Sequence, residues 1–279
     1  MLFRLFRQPI VGALALSTIA IGYSSSLLGV RADFFASKAI AQSARNAIAI
    51  VPITYEHPPV PDDPPPPGRP QGAGSHSLCE IDRSEKNLVP LIALVPSQVV
   101  QGNRRELTYV WGKTTAANPT FWLYLAYPQN ALVKFAIYND DFEEIATDSF
   151  AIAATEPGIV SFALPPEKLS LEVNEIYHWE FSIYCDRDQS SPNDIVNGSI
   201  QRVALPSEVQ SQIEEATPLE GIALYAKNGI WYDSLTNLAE LRHQQPENPD
   251  FAAAWEELLT AVDADKKISS QPILPCCQP

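Results

Sequence analysis

The chain is 279 residues long, 46% hydrophobic and carries a formal net charge of -14. That length holds one large domain or two modest ones, and that apolar content excludes a chain disordered throughout. An acidic surface with no Lys/Arg cluster repels nucleic acid and anionic lipid at long range, which argues against both as partners, and we read the acidity as serving solubility.

Residues 1–8 carry Arg4 and Arg7, an uncharged run follows from 10 to 30, and Ala39-Ile40-Ala41 before Gln42 fits a small-residue cleavage site. We expect residues 1–41 to be an export signal. An earlier cut after Val30-Arg31-Ala32 is one alternative. An uncleaved anchor is another, although Gly12, Gly22, Gly29 and serines 24 to 26 weaken the run's apolarity. Membrane contact is expected only through this segment, if it is retained.

Cysteines of an exported chain are disulfide material before they are metal or redox ligands. Cys79 and Cys185 stand outside any CxxC or Cys/His cluster. If they pair, they close a loop of about a hundred residues, which the chain-entropy model values at roughly 4 to 5 kcal/mol. Cys276 and Cys277 are adjacent, where a vicinal bond is strained and a link to another molecule is the alternative. Four cysteines allow three connectivities, and the spacing does not choose among them.

From 42 to 75 periodicity is lost, and 57–70 (HPPVPDDPPPPGRP) is a proline tract that favours an extended polyproline II path. We expect 42–75 to be a disordered, semi-rigid spacer. Gly72-Ala73-Gly74-Ser75-His76 has neither the ending nor the preceding strand of a phosphate loop, and reads as the linker's entry into the domain.

Beyond Cys79, β-rich runs recur at 89–95, 106–111, 120–127, 132–138, 144–153, 159–164, 177–185 and 199–205. Turn residues separate them, among them Gln101-Gly102-Asn103, Asn139-Asp140-Asp141, Glu156-Pro157-Gly158 and Asn197-Gly198. Seven or eight strands at this spacing predict an antiparallel, Ig-like β-sandwich over 76–205. In 177–185, Tyr177, Trp179, Phe181, Ile183 and Cys185 fall on one face, and His178, Glu180 and Ser182 on the other. The approach from Leu171 to Tyr177 resembles a tyrosine corner, in which a buried hydroxyl returns to upstream backbone.

The run Pro119-Thr120-Phe121-Trp122-Leu123-Tyr124-Leu125-Ala126-Tyr127-Pro128 is apolar or aromatic on both faces, so it predicts a central strand or one covered by the C-terminal part. The alternative leaves Trp122 and Tyr124 exposed as a platform for stacking sugars.

After Leu205 the period changes from 2 to 3.6. Thr217-Pro218-Leu219-Glu220 is a helix start, Asn228-Gly229 a stop, and Trp231, Leu235, Leu238 and Leu241 share the face of a second helix. Asn248-Pro249 caps a third helix, with Phe251, Ala254, Trp255, Leu258, Leu259 and Val262 on its apolar face. The passage from Tyr225 to Leu235, followed by Pro246, resembles one tetratricopeptide helix pair, which cannot bury both faces alone and should dock on the sandwich. The expected class is therefore α+β, with a three- to four-helix TPR-like extension over 206–265 and a flexible tail over 266–279.

No two of the four histidines, His57, His76, His178 and His243, stand at ligand spacing, and neither GxSxG nor SxxK occurs. We expect no catalytic residue, no metal and no cofactor. Cys185-Asp186-Arg187-Asp188 sets two carboxylates beside an arginine, which a solvated turn explains. A cryptic hydrolase using Asp186, Asp188 or His178 is the alternative, and it needs two of them in one cleft. Asn197-Gly198-Ser199 fits a glycosylation sequon, though a turn explains it equally. These readings favour a non-catalytic interaction or assembly module of the cell envelope with a protein partner. Glycan binding through Trp122, Tyr124 or Trp111 is the alternative.

Several landmarks together resemble a cyanobacterial family known by its domain-of-unknown-function label, DUF928. They are Gly72-Ala73-Gly74-Ser75 before Cys79, Leu91-Ile92-Ala93-Leu94-Val95-Pro96, Pro119-Thr120-Phe121-Trp122, and Pro157-Gly158-Ile159-Val160-Ser161-Phe162. Trp179 to Cys185, Ile200-Gln201-Arg202-Val203 and Asn228-Gly229-Ile230-Trp231-Tyr232-Asp233 complete the set. The resemblance implies a cyanobacterial, exported protein in which Cys79 pairs with Cys185, and it implies no activity.

Overall fold

The computed structural model describes residues 52–61, 64–72, 91–102, 104–127, 131–153, 156–185, 188, 190–262 and 266–275. Residues from Ile50 to Pro279 form one compact unit. Strands and helices fold together, so no boundary separates a sandwich domain from a helical one.

Nine strands lie among the described residues: β1 (Leu91–Ala93), β2 (Ser97–Gln101), β3 (Glu106–Thr114), β4 (Phe121–Leu125), β5 (Leu132–Tyr138), β6 (Glu144–Ala151), β7 (Gly158–Phe162), β8 (Ile176–Tyr184) and β9 (Asp194–Arg202). They form a three-stranded sheet of order β1-β4-β7 and a six-stranded sheet of order β2-β3-β9-β8-β5-β6. Four α-helices follow among the described residues: α1 (Ser207–Glu215), α2 (Pro218–Lys227), α3 (Trp231–Gln244) and α4 (Pro249–Leu259). The architecture is α+β with a sandwich-like pair of sheets. Among the nine described strands all pairings are antiparallel except one, since β3 runs parallel to β9 with Trp111 opposite Ser199.

The aromatic strand β4 lies at the centre of the small sheet, and all five of its residues are buried. Its alternate side chains serve different layers. Phe121 packs against Phe135, Trp179 and Phe181 of the large sheet, with ring centroids 4.9, 6.0 and 5.8 Å away. Trp122 points the other way, its ring centroid 6.4 Å from that of Trp255 in α4, and its indole N–H donates to the Thr236 hydroxyl of α3 at 3.0 Å. The helices therefore cover the small sheet, which explains why this strand is apolar on both faces.

Local signals hold where side chains make the predicted bonds. The Glu220 carboxylate accepts from both the backbone N–H and the hydroxyl of Thr217 at the start of α2. The Asn248 side chain accepts from Asp250 N–H at the start of α4. The Tyr177 hydroxyl accepts from Glu172 N–H at 3.0 Å, the upstream return expected of it.

Three expectations are corrected. First, β9 begins at Asp194 and runs through Asn197-Gly198, which is no turn. Gly198 sits inside the strand because a Cβ there would lie 2.5 Å from the Trp179 ring and 2.6 Å from the Val110 carbonyl. Second, β2 is a strand that the sequence pattern does not signal, because its Ser-Gln-Val-Val-Gln sequence lies at a sheet edge and does not alternate.

Third, the proline-rich segment is docked along its described part. Ile53 is fully buried and Tyr55 nearly so. Glu56 N–H donates to Ala226 O, Gly68 N–H to Thr108 O, Arg69 exchanges bonds with Asn197, and Gly72 N–H donates to Leu91 O. Proline removes donors but leaves carbonyls and an extended path, so the non-proline residues supply the hydrogen bonds of a strap. Burying Ile53 alone contributes about 1.5 to 3 kcal/mol.

Candidate functional site

The polar and aromatic groups nearest to chemistry gather in three places: the junction before α3, the outer face of β8, and a groove beside the strap. The junction is built by residues 228–233. Asn228 and Gly229 end α2, and Gly229 takes a φ of 71°, the left-handed value that glycine adopts without strain. Trp231 then enters the core at 0% exposure and donates from its indole to Leu94 O at 2.8 Å. The next ring, Tyr232, reaches Phe121 between the layers, 5.4 Å between centroids. Space for both comes from Gly112 on β3, where a Cβ would meet the Trp231 Cβ at 3.0 Å.

Asp233 completes the junction. Its carboxylate accepts from the Thr114 hydroxyl at 2.8 Å, from Thr115 N–H at 3.1 Å and from the Thr115 hydroxyl. Burial pushes its pKa up, and the hydrogen bonds from Thr115 and Thr114 pull the other way. Every oxygen is engaged in tying the first turn of α3 to the end of β3.

On the outer face of β8, His178 is 5% exposed. Its Nδ1 lies 2.9 Å from the Ser199 hydroxyl on β9, and its Nε2 is 3.4 Å from Asp140 Oδ1 without the alignment of a hydrogen bond. Phe142 stacks flat on the imidazole, centroids 4.5 Å apart and planes 8° from parallel. Serine, histidine and aspartate thus converge, but Ser199 is 2% exposed and its strand is flanked by β8 and β3. The sheet ladders occupy the backbone N–H groups that an oxyanion would need. The trio fastens the β5–β6 turn onto the sheet.

Burial lowers the His178 pKa, with Asp140 opposing, so the folded state favours the neutral ring. That contribution to stability is present above the ordinary histidine pKa and is lost as pH falls through the lowered folded value. Denaturant unfolding at pH 7 and pH 5 should therefore show wild type losing more stability than His178→Gln over that interval. Equal losses would remove His178 from the account. His57 is also lowered by burial, and the comparison cancels it because both chains carry it.

The third place is a groove of about 470 Å³, lined by Pro52, Thr54 and Glu56 of the strap, Gln212 and Ala216 at α1, and Glu220, Ala223, Leu224 and Lys227 of α2. Helix α1 buries none of its residues, and Val209 and Ile213 are only half-buried.

The residues singled out from sequence are dispersed. Trp111, Trp122 and Tyr124 are 4%, 7% and 1% exposed, so none offers a ring face to a sugar. Trp122 and Tyr124 belong to the hydrophobic core, with α3 and α4 lying over Trp122, and Trp111 is buried outside that cluster. Cys185 is half-buried at the end of β8 and its N–H donates to Asn193. No cysteine among the described residues is free, and Cys79 lies outside them. Asp186 and Arg187 also lie outside the described residues, and Asp188 is exposed. Among the described residues, no group of His, Cys, Asp and Glu is placed to hold a metal ion, and no helix is long and apolar enough to cross a membrane. The sequence pattern does not mark Asp140, Ser199 or Asp233 as site residues. Asp140 stood in a turn signal and Asp233 at the end of a family landmark, and neither signal names a partner far along the chain.

Comparison with solved structures finds a putative β-galactosidase from Bacteroides fragilis at 11% identity and a TM-score of 0.22, covering 38% of this chain and 16% of that one. It also finds a Bifidobacterium dentium β-glucuronidase complexed with coumarin-3-O-glucuronide, at 11% identity and a TM-score of 0.27, covering 63% and 36%. The chain thus spans well under half the length of either. No curated protein matches it. The family model described as Domain of Unknown Function (DUF928) matches residues 71–273. The nine strands, the junction and all four helices fall within that match, and the chain belongs to the DUF928 family.

Proposed function

We propose that this chain is an exported, non-catalytic interaction module of a cyanobacterial cell envelope, which binds an extended segment of a partner protein in the groove beside its strap. The observation that carries this reading is the groove itself: an open surface framed by an extended strap and by a helix that buries none of its own residues. Helix-lined grooves take up extended or helical peptides through apolar side chains, and Lys227 and Glu56 at the wall supply polar contacts. The polar groups elsewhere support the same reading, since Asp233 and His178 are engaged in fastening elements together.

Export rests on Arg4, Arg7, the uncharged run and Ala39-Ile40-Ala41. In that compartment we assign Cys79 to Cys185 as a disulfide, closing the segment before β1 onto the end of β8. We further read the paired sheets as Ig-like and the α2–α3 pair as TPR-like.

A photo-crosslinking residue at Gln212 tests the reading in living cells. The expected result is a discrete adduct with a second protein that is missing when the same residue replaces Glu143 on the β5–β6 turn. Adducts that are absent, or identical at the two positions, would overturn it.

A further inference from the structure

The six-stranded sheet has two outer edges, and they are built differently. On the β6 side stand Asp140, Asp141, Glu143, Glu144 and Asp148, with Lys134 and Lys168 paired to Glu144 and Asp148, and charged side chains of this kind guard an edge against pairing with a like edge. At the other edge, β2 reads Ser97-Gln98-Val99-Val100-Gln101 and carries no charge, no proline and no bulge. Val99 is 57% exposed and Val100 39% exposed.

The hydrogen bonds that bracket β2 show which backbone groups face out. Trp111 N–H donates to Pro96 O at one end, and Gly102 N–H donates to Arg105 O at the other. With the β2–β3 register, these put Pro96, Gln98, Val100 and Gly102 in the inward-bonding set. The N–H and C=O groups of Ser97, Val99 and Gln101 therefore point away from β3, and among the described residues no strand pairs with them.

We propose that this edge pairs antiparallel with β2 of a second copy, about a two-fold axis at Val99, so that the large sheet continues from one copy into the other. Three features favour a second copy over an unrelated strand. A two-fold at Val99 sets Ser97 opposite Gln101 of the other copy, Gln98 opposite Val100 and Val99 opposite its own equivalent, so no charge meets a like charge across the pairing. The outward-bonding residues are the odd-numbered set, and antiparallel pairing about Val99 matches odd with odd, giving about six new N–H···O bonds. The strand is also locally neutral on a chain of net charge -14, so two copies meet where their general repulsion is least.

The test uses the full-length chain. In sedimentation velocity over a concentration series, wild type should move to twice the monomer mass, while Val99→Lys, with its far-UV spectrum unchanged, should remain at monomer mass. Geometry is read separately. Residues in a hydrogen-bonded antiparallel pair have Cα atoms about 5.5 Å apart, within disulfide range. Val99→Cys should then add a reducible dimer band above the wild-type background, and Val100→Cys, which faces Gln98 instead, should not. A wild type that stays monomeric, a Val99→Lys chain that associates like wild type, or equal crosslinking at both positions would overturn the proposal.

Discussion

Trp231→Ala should cost about 3 to 5 kcal/mol, the range for deleting a large aromatic from a packed core. Trp231 is fully buried, its indole holds the Leu94 carbonyl, and Tyr55 of the strap packs edge-on to it at 5.0 Å. Removing it opens a void where strap, small sheet and α3 meet, and leaves a carbonyl without its donor. Domains of ordinary stability have about 5 to 15 kcal/mol in hand, so roughly a fifth or more would be lost. Thermal unfolding should fall by on the order of 10 °C. Trp231→Phe keeps much of the volume and loses the hydrogen bond, so its cost should be clearly smaller. A Trp231→Ala midpoint within error of wild type would show that the junction does not hold the layers together.

Asp233→Ala should cost about 2 to 3 kcal/mol through polar groups. The carboxylate serves both threonine hydroxyls and the Thr115 N–H, and without it those donors lose their acceptor in a site where Thr114 is fully buried. Asp233→Asn keeps the shape but turns an NH2 toward donors, so it should fall between wild type and alanine. A pH signature separates this role from mere packing. The Asp233 pKa is raised in the fold, so its contribution is greatest below the ordinary carboxyl pKa and declines as pH rises through the raised value. The asparagine variant should lack that component when stability is measured from pH 3 to 7. An unchanged pH profile would contradict the role.

Much of this arrangement was legible in the sequence where the cause is local. The limits of β5 at Leu132 and Tyr138 and the helix starts at Thr217 and Asn248 follow from alternation and capping, which act over a few residues. The covering of β4 was also legible, because a strand apolar on both faces must be covered on both. What was not legible depends on distant partners. Gly198 looks like a turn until Trp179 is seen to lie over it, and the strap looks like a spacer until Ala226, Thr108 and Leu91 supply its acceptors. His178 meets Asp140 and Ser199 only because β8 pairs with both β5 and β9. The groove is formed by three segments, and one of them, α1, buries none of its residues and so carries little apolar face for the sequence to signal.

At the centre of the account, strap, sheets and helices form one body joined at residues 228–233. Equilibrium urea unfolding followed at once by tryptophan fluorescence and by helical and sheet circular dichroism tests this most directly. The prediction is one transition with a common midpoint for all signals, moved as a whole by Trp231→Ala. A helical signal that melts separately from the sheet, with Trp231→Ala shifting only one of the two, would contradict it.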